Sequence, residues 1–268
     1  MVVKKNNIQV EPGGITYDRF RLEQIFYDLV DKYGITRALE MAAGGEKAMP
    51  SIYSIGLARA GCNVTLVNPT PKGLKAWSVL GLDGMVQGMM ADPANTGLED
   101  RSYDLVWNFV SLSKTADFRG VLAEMARLSR HLVLTVHTNG FNVGYPWHRL
   151  LHYMFGFPWT HGDTRYSFPA EVLKAYRSLG LEVLTRFPFD SPPWPDPPGF
   201  RDVRLHRQGV NRAEDESIEW KAPIIDYCVR GQFPLWMRLL SRIERLPLPR
   251  FLKYPVSHLF LVLGKVSK

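Results

Sequence analysis

The chain has 268 residues, 46% of them hydrophobic, which is ordinary for a globular protein and enough for one large α/β domain. Its two cysteines, Cys62 and Cys228, lack any CxxC or Cys/His spacing and argue against a disulfide framework or a zinc-finger site. With a net charge of +7 spread along the chain, no signal-peptide core and no stretch of membrane-spanning length, the sequence reads as cytoplasmic, with a preference for an anionic partner or surface.

In chain order, Tyr17 to Tyr33 reads as an amphipathic helix, because Phe20, Leu22, Ile25, Phe26, Leu29 and Val30 recur at three- and four-residue spacings. Gly34 stops it. Ala38 to Met41 form a short apolar run that ends in the small-residue turn Ala42, Ala43, Gly44, Gly45. Pro50 is placed to open a helix running to about Ala60, and Asn63 to Val67 is a second strand. A helix over 72–80 leads to a third apolar stretch, Gly84 to Met90, with Asp92 directly after it. Tyr103 to Phe109 (YDLVWNF) is near-continuously apolar, as a central strand buried on both faces requires.

A helix near 116–128, a strand over 131–136, a helix near 169–179 and a strand over 181–187 come next, so strand and helix alternate as in a parallel sheet with helices on both faces. The aromatic and histidine-rich segment 139–166 is too long for a plain connection and is expected to form a lid or substrate surface. So many prolines in Phe187 to Phe200 (FPFDSPPWPDPPGF) forbid regular structure, leaving a stiff covering loop. Residues 214–248 look partly helical and His258 to Val266 is the last strand, so 190–256 is an insertion before that strand within a single domain of 1–268.

These pieces resemble the class I S-adenosylmethionine-dependent methyltransferases, in particular their type 11-like small-molecule group. ALEMAAGG is similar to the acid and glycine turn, LARAGCNVTLVN to the second helix and strand, MADPANTGLEDRSYDLVWNF to the adenine loop and fourth strand, and LAEMARLSRHLVLTV to the next helix and the fifth strand. The resemblance implies a Rossmann-like seven-stranded sheet in the order 3-2-1-4-5-7-6 with its last strand antiparallel, and S-adenosyl-L-methionine as cofactor. By position, Glu40 would take the donor's methionine end, Ala42 and Gly44 the close backbone approach, Asn68 the ribose, Asp92 the adenine amino group, and Asn108 with Phe109 the neighbourhood of the methyl. Ala42 and Glu46 stand where the family has glycine, the turn is several residues longer, and Asn68 replaces an acid.

Methyl transfer to a hydroxyl or amine is helped by a general base, and His137, His148, His152 and His161 lie in or beside the lid segment. His148 and His161 are the preferred candidates. His148 and His152 share a helix face at a spacing that also suits a metal, but with no HExxH glutamate and no nearby third ligand no metal is expected. Trp147, Tyr153, Phe155, Phe157, Trp159 and Trp194 imply an apolar pocket. The stretch 233–246 sets Leu235, Trp236, Leu239, Leu240 and Ile243 against Arg238, Arg242 and Arg245. Such a helix either packs its apolar face on the core or lies on an anionic membrane, which brings lipid-like acceptors into view beside small molecules. Scattered basic residues disfavour nucleic acid. The alternative is a non-catalytic protein of the same fold that binds a nucleotide or a protein partner. An NAD-linked dehydrogenase ranks below both, because no GxGxxG turn is present.

Overall fold

The computed structural model describes residues 7–45, 49–156, 158–159, 161–191 and 218–267. The expected contributions of Glu46, Phe157, Trp194 and the proline-rich loop from 192 onward, and the start of the segment from 214, lie outside the described residues.

Strands β1 (Asn7–Val10), β2 (Arg37–Glu40), β3 (Asn63–Val67), β4 (Val86–Met89), β5 (Tyr103–Phe109), β6 (Ser129–Thr138), β7 (Leu181–Phe189), β8 (Ile218–Lys221) and β9 (Leu259–Val266) form two sheets. The larger has seven strands in the order β4-β3-β2-β5-β6-β9-β7. With β1 and β8 set aside, this is 3-2-1-4-5-7-6, the expected order, and β9 runs antiparallel to both neighbours. The small parallel pair β1-β8 has no counterpart among the elements expected from sequence.

All seven residues of β5 are buried, because the sheet has a core on each face. Leu105, Trp107 and Phe109 point into one core with α1 (Gly13–Tyr33), α2 (Ile55–Arg59) and the helices Pro223–Arg230 and Leu235–Arg245, whereas Val106 joins α4 (Phe118–Leu128) and α6 (Pro169–Ser178) in the other. Gly34 closes α1 in the left-handed conformation at φ 63°. Thr70 caps α3 (Pro71–Val79), accepting from the Gly73 amide, and Asp117 caps α4 through Gly120.

The helix expected from Pro50 is shorter than the sequence suggests: α2 begins only at Ile55. Ser51 sits at φ 64° and is fully buried. Its hydroxyl donates to the Ala43 carbonyl at 2.9 Å and accepts from the Thr70 amide at 2.8 Å, while Trp77 Nε1 donates to its carbonyl at 2.8 Å. These bonds hold the segment in a left-handed bend that a helix cannot contain. Segment 139–166 contains helix α5 (Gly144–Met154). It starts at Asn139, whose side-chain amide donates to the Tyr254 and Ser257 carbonyls at 2.6 and 2.8 Å.

Candidate functional site

The carboxyl ends of β2, β3 and β5 meet around an open cleft of about 270 Å³, lined by Ala42, Gly44, Gly45, Asn68, Ser111, Lys114 and Thr115. Its floor is backbone. The Met41 amide donates to Trp107 O at 2.8 Å and the Ala43 amide to Val67 O at 2.7 Å, so the turn after β2 is laced to both neighbouring strands. Ala42 takes the left-handed conformation at φ 54° that glycine would adopt more easily. Gly44 passes so near β3 that a Cβ there would stand 2.9 Å from the Asn68 carbonyl oxygen.

Two side chains assigned to the cofactor by resemblance have partners inside the chain. Glu40 is 2% exposed and lies beneath residues 51–54, where its carboxyl accepts from Ser54 Oγ at 2.6 Å; Ser54 Oγ in turn accepts from Trp107 Nε1 at 2.9 Å. Burial pushes the Glu40 carboxyl up to about 7, against the opposing pull of Ser54 and Arg19. Asn68, at φ 56°, borders the cleft, but its amide donates to Ala91 O at 2.8 Å and its side-chain oxygen accepts from the Ala91 amide at 2.9 Å.

Asn108 is also occupied: Nδ2 donates to Met41 O and Ser111 Oγ, each at 2.7 Å, and Oδ1 accepts from the Leu112 amide at 3.0 Å. It shapes the cleft wall. Phe109 stacks on Tyr53 with ring centroids 3.9 Å apart, and the Arg19 guanidinium lies 4.6 Å from the centroid of the Tyr53 ring. Asp92 is exposed, with Oδ1 accepting from the Ala94 amide at 2.9 Å to fix the turn.

The histidines separate. His137 is 1% exposed, pushed down to about 3 by burial, and contacts Thr135 Oγ1 at 2.8 Å inside the sheet; burial removes it from any role at the surface. His148, His152 and His161 come together within segment 139–166, with the His148 and His161 rings 4.7 Å apart. Sequence spacing alone linked only the first two; beside His161, Trp159 Nε1 donates to Gly162 O at 3.0 Å. The same segment meets the 3-10 turn Ser111–Lys114, which supplies two lining residues, where the Asp163 amide donates to Ser113 O at 2.8 Å.

The residues present fit a nucleoside-bearing cofactor at the backbone level. The small-residue turn leaves room above itself, the cleft approaches the ~300 Å³ lower bound of small-molecule sites, and Lys114 and Asp92 bring opposite charges to the strand ends.

Residues 39–132 match the methyltransferase domain family. No similar sequence was found among curated proteins. Among solved structures, a Galdieria sulphuraria protein assigned as a sarcosine dimethylglycine methyltransferase is similar at 12% identity, covering 92% of this chain and 86% of its own, with a TM-score of 0.52. The [4+2]-cyclase SpnF is similar at 14% identity over 91% of this chain and 80% of its own, TM-score 0.52. The MccD protein is similar at 10% identity over 97% and 100%, TM-score 0.52. At these identities the likeness is one of fold, and a fold hosts more than one chemistry.

Proposed function

We propose that this chain, a class I S-adenosylmethionine-dependent methyltransferase by its matched domain and its strand order, methylates a lipid-like acceptor met at an anionic membrane surface. The observation that carries the acceptor class is the exposed face of helix Leu235–Arg245. That helix buries Met237, Leu240 and Ser241 and leaves Leu235, Leu239 and Ile243 at 61%, 47% and 59% exposure, interleaved with Arg238, Arg242 and Arg245. Leu246, Leu248, Phe251 and Leu252, which follow in sequence, are exposed too, as are Trp147, Leu150, Tyr153 and Met154 of α5. Single exposed apolar residues are ordinary, but several along one helix, interleaved with arginines, suit the headgroup region of an anionic bilayer. Among the described residues no helix is long and apolar enough to cross a membrane, so contact would be peripheral.

When bound, S-adenosylmethionine supplies an electrophilic methyl group. The chain's own part is alignment and exclusion of water. The turn Ala42–Gly45 offers its backbone, Asp92 a carboxylate for the adenine amino group, and Lys114 a cation at the cleft wall. In the ion-free chain, His148 and His161, which share segment 139–166 with Asp163 and its bond to Ser113, are the groups to take a proton from the acceptor.

Calorimetry with S-adenosylmethionine tests the donor site: saturable binding is expected, weakened ~10-fold by Asp92→Asn, which keeps an oxygen for the Ala94 amide but loses the charge. Absence of heat at concentrations well above micromolar overturns the enzymatic proposal, and unchanged affinity in Asp92→Asn moves the adenine contact elsewhere. Co-sedimentation with anionic but not zwitterionic vesicles, lost in Leu239→Glu/Ile243→Glu, tests the acceptor class. Binding to neither kind of vesicle removes the lipid surface from the proposal.

A further inference from the structure

We propose that His148, His152 and His161 form a binding site for one divalent transition-metal ion at the edge of the cleft. One ring nitrogen from each lies within 4.8 Å of the other two. Nε2 of His148 and Nε2 of His152 stand 3.1 Å apart. Two imidazole nitrogens held by one tetrahedral zinc at ~2.0–2.1 Å are separated by about 3.3 Å, so this pair already has the spacing of ligands on a single ion.

The protonation pattern fits as well. His152 Nδ1 faces the Pro158 carbonyl oxygen at 3.1 Å. A carbonyl only accepts, so Nδ1 carries the proton and Nε2 presents its lone pair to the cluster. A backbone carbonyl behind the ring is the usual outer partner of a metal-bound imidazole. Trp159 packs against all three rings, with centroids 5.4, 5.1 and 4.7 Å from His148, His152 and His161. That wall orients the imidazoles and shields one side from water.

The donor set names the ion's class. Three neutral nitrogens with no carboxylate or thiolate in the group suit zinc and its first-row neighbours and disfavour magnesium or calcium, which take oxygen. Three protein ligands leave a fourth position for water or another oxygen. Gly162 and Asp163, next to His161, sit against Ser113 in the turn that carries the lining residues Ser111 and Lys114, so the cluster lies near the cleft. Use of the ion on the acceptor's oxygen would rest on the methyltransferase assignment; binding of the ion does not. Without an ion the same 3.1 Å separation is a hydrogen bond between two imidazoles, and the two states are told apart by titration.

The 268-residue chain, free of any histidine tag and stripped with chelator, is titrated with Zn²⁺ by calorimetry and with Co²⁺ by visible absorption, without donor or acceptor. One equivalent of Zn²⁺ and the intense visible bands of four-coordinate Co²⁺ are expected. The half-buried positions His148 and His161 are changed separately: His148→Ala and His161→Gln, each checked by circular dichroism, should weaken binding at least ~10-fold. His131→Ala, at an exposed histidine elsewhere, should leave it unchanged. No saturable binding, or binding retained in both His148→Ala and His161→Gln, overturns the proposal. Loss of metal binding leaves the donor calorimetry untouched, so the two proposals fail separately.

Discussion

The carboxyl of Glu40 and the hydroxyl of Ser54 are 2.6 Å apart in the core, with Trp107 Nε1 supporting the hydroxyl from behind. Burial makes the protonated acid the favoured form of Glu40, its value of about 7 lying above the 4.5 of the unfolded chain. A raised carboxyl pKa stabilises the folded state fully below the unfolded value, and that contribution is lost as pH rises through the folded one. Glu40→Gln, which keeps the acceptor for Ser54, is expected to raise stability at pH 8 by as much as ~3 kcal/mol. Denaturant unfolding at pH 5 and pH 8 checks it; equal gains at both would show that the carboxyl ionises freely in the fold.

His137 tilts stability the other way. Its folded value of about 3 lies below the ordinary 6.5, so the unfolded chain takes up a proton first as pH falls. Stability from the neutral imidazole is complete above the unfolded value and drains as pH drops toward the folded one. Between about pH 4.5 and 6.5 the two buried groups therefore oppose each other. The wild type should be nearly flat there, and Glu40→Gln should show stability rising with pH at up to ~1.4 kcal/mol per unit. A flat Glu40→Gln profile would rule out a neutral buried His137.

Asn68→Ala removes both bonds to Ala91 and a residue that tolerates a positive φ. A loss of about 2 kcal/mol is expected, seen as a Tm lower by roughly 4–8 °C. Asn68→Asp keeps an acceptor for the Ala91 amide but sets a carboxylate against the Ala91 carbonyl, and should lose stability too. If Asn68→Asp instead proves as stable as wild type, the amide clamp is not what holds this strand end.

Gly44→Ala places a methyl 2.9 Å from the Asn68 carbonyl, a backbone atom that cannot rotate away. The turn must shift, and donor affinity should fall at least ~10-fold, worth about 1.4 kcal/mol. Gly84→Ala, where a Cβ meets nothing within 4 Å, is the control. Equal affinities in the two variants would separate the turn from donor binding.

The sheet was legible because its signal is local. Tyr103–Phe109 is apolar at nearly every position, and Leu105 and Val106 on adjacent residues feed opposite cores, as a central strand must. What escaped depends on partners remote in sequence. β1 and β8 are four-residue strands joined by pairings such as Val10 with Lys221, and neither has enough pattern to announce the other. Position predicted where Glu40 sits but not that Ser54 and Trp107 would enclose its side chain, since that needs the long turn to fold over it. An amide at Asn68 can donate and accept at once, which a carboxylate cannot, and this dual capacity lets it bind its neighbour's backbone on both sides. The third histidine was invisible for the same reason: a loop closed by Trp159 delivers it, not a helical spacing.

Asn139, the first residue of segment 139–166, donates both amide hydrogens to the segment that lies beyond the arginine-bearing helix, and the Val143 amide donates to Pro255 O at 3.0 Å. The first turn of segment 139–166 and the stretch after helix Leu235–Arg245 thus hang from a single post, and neither can shift far without tearing these bonds.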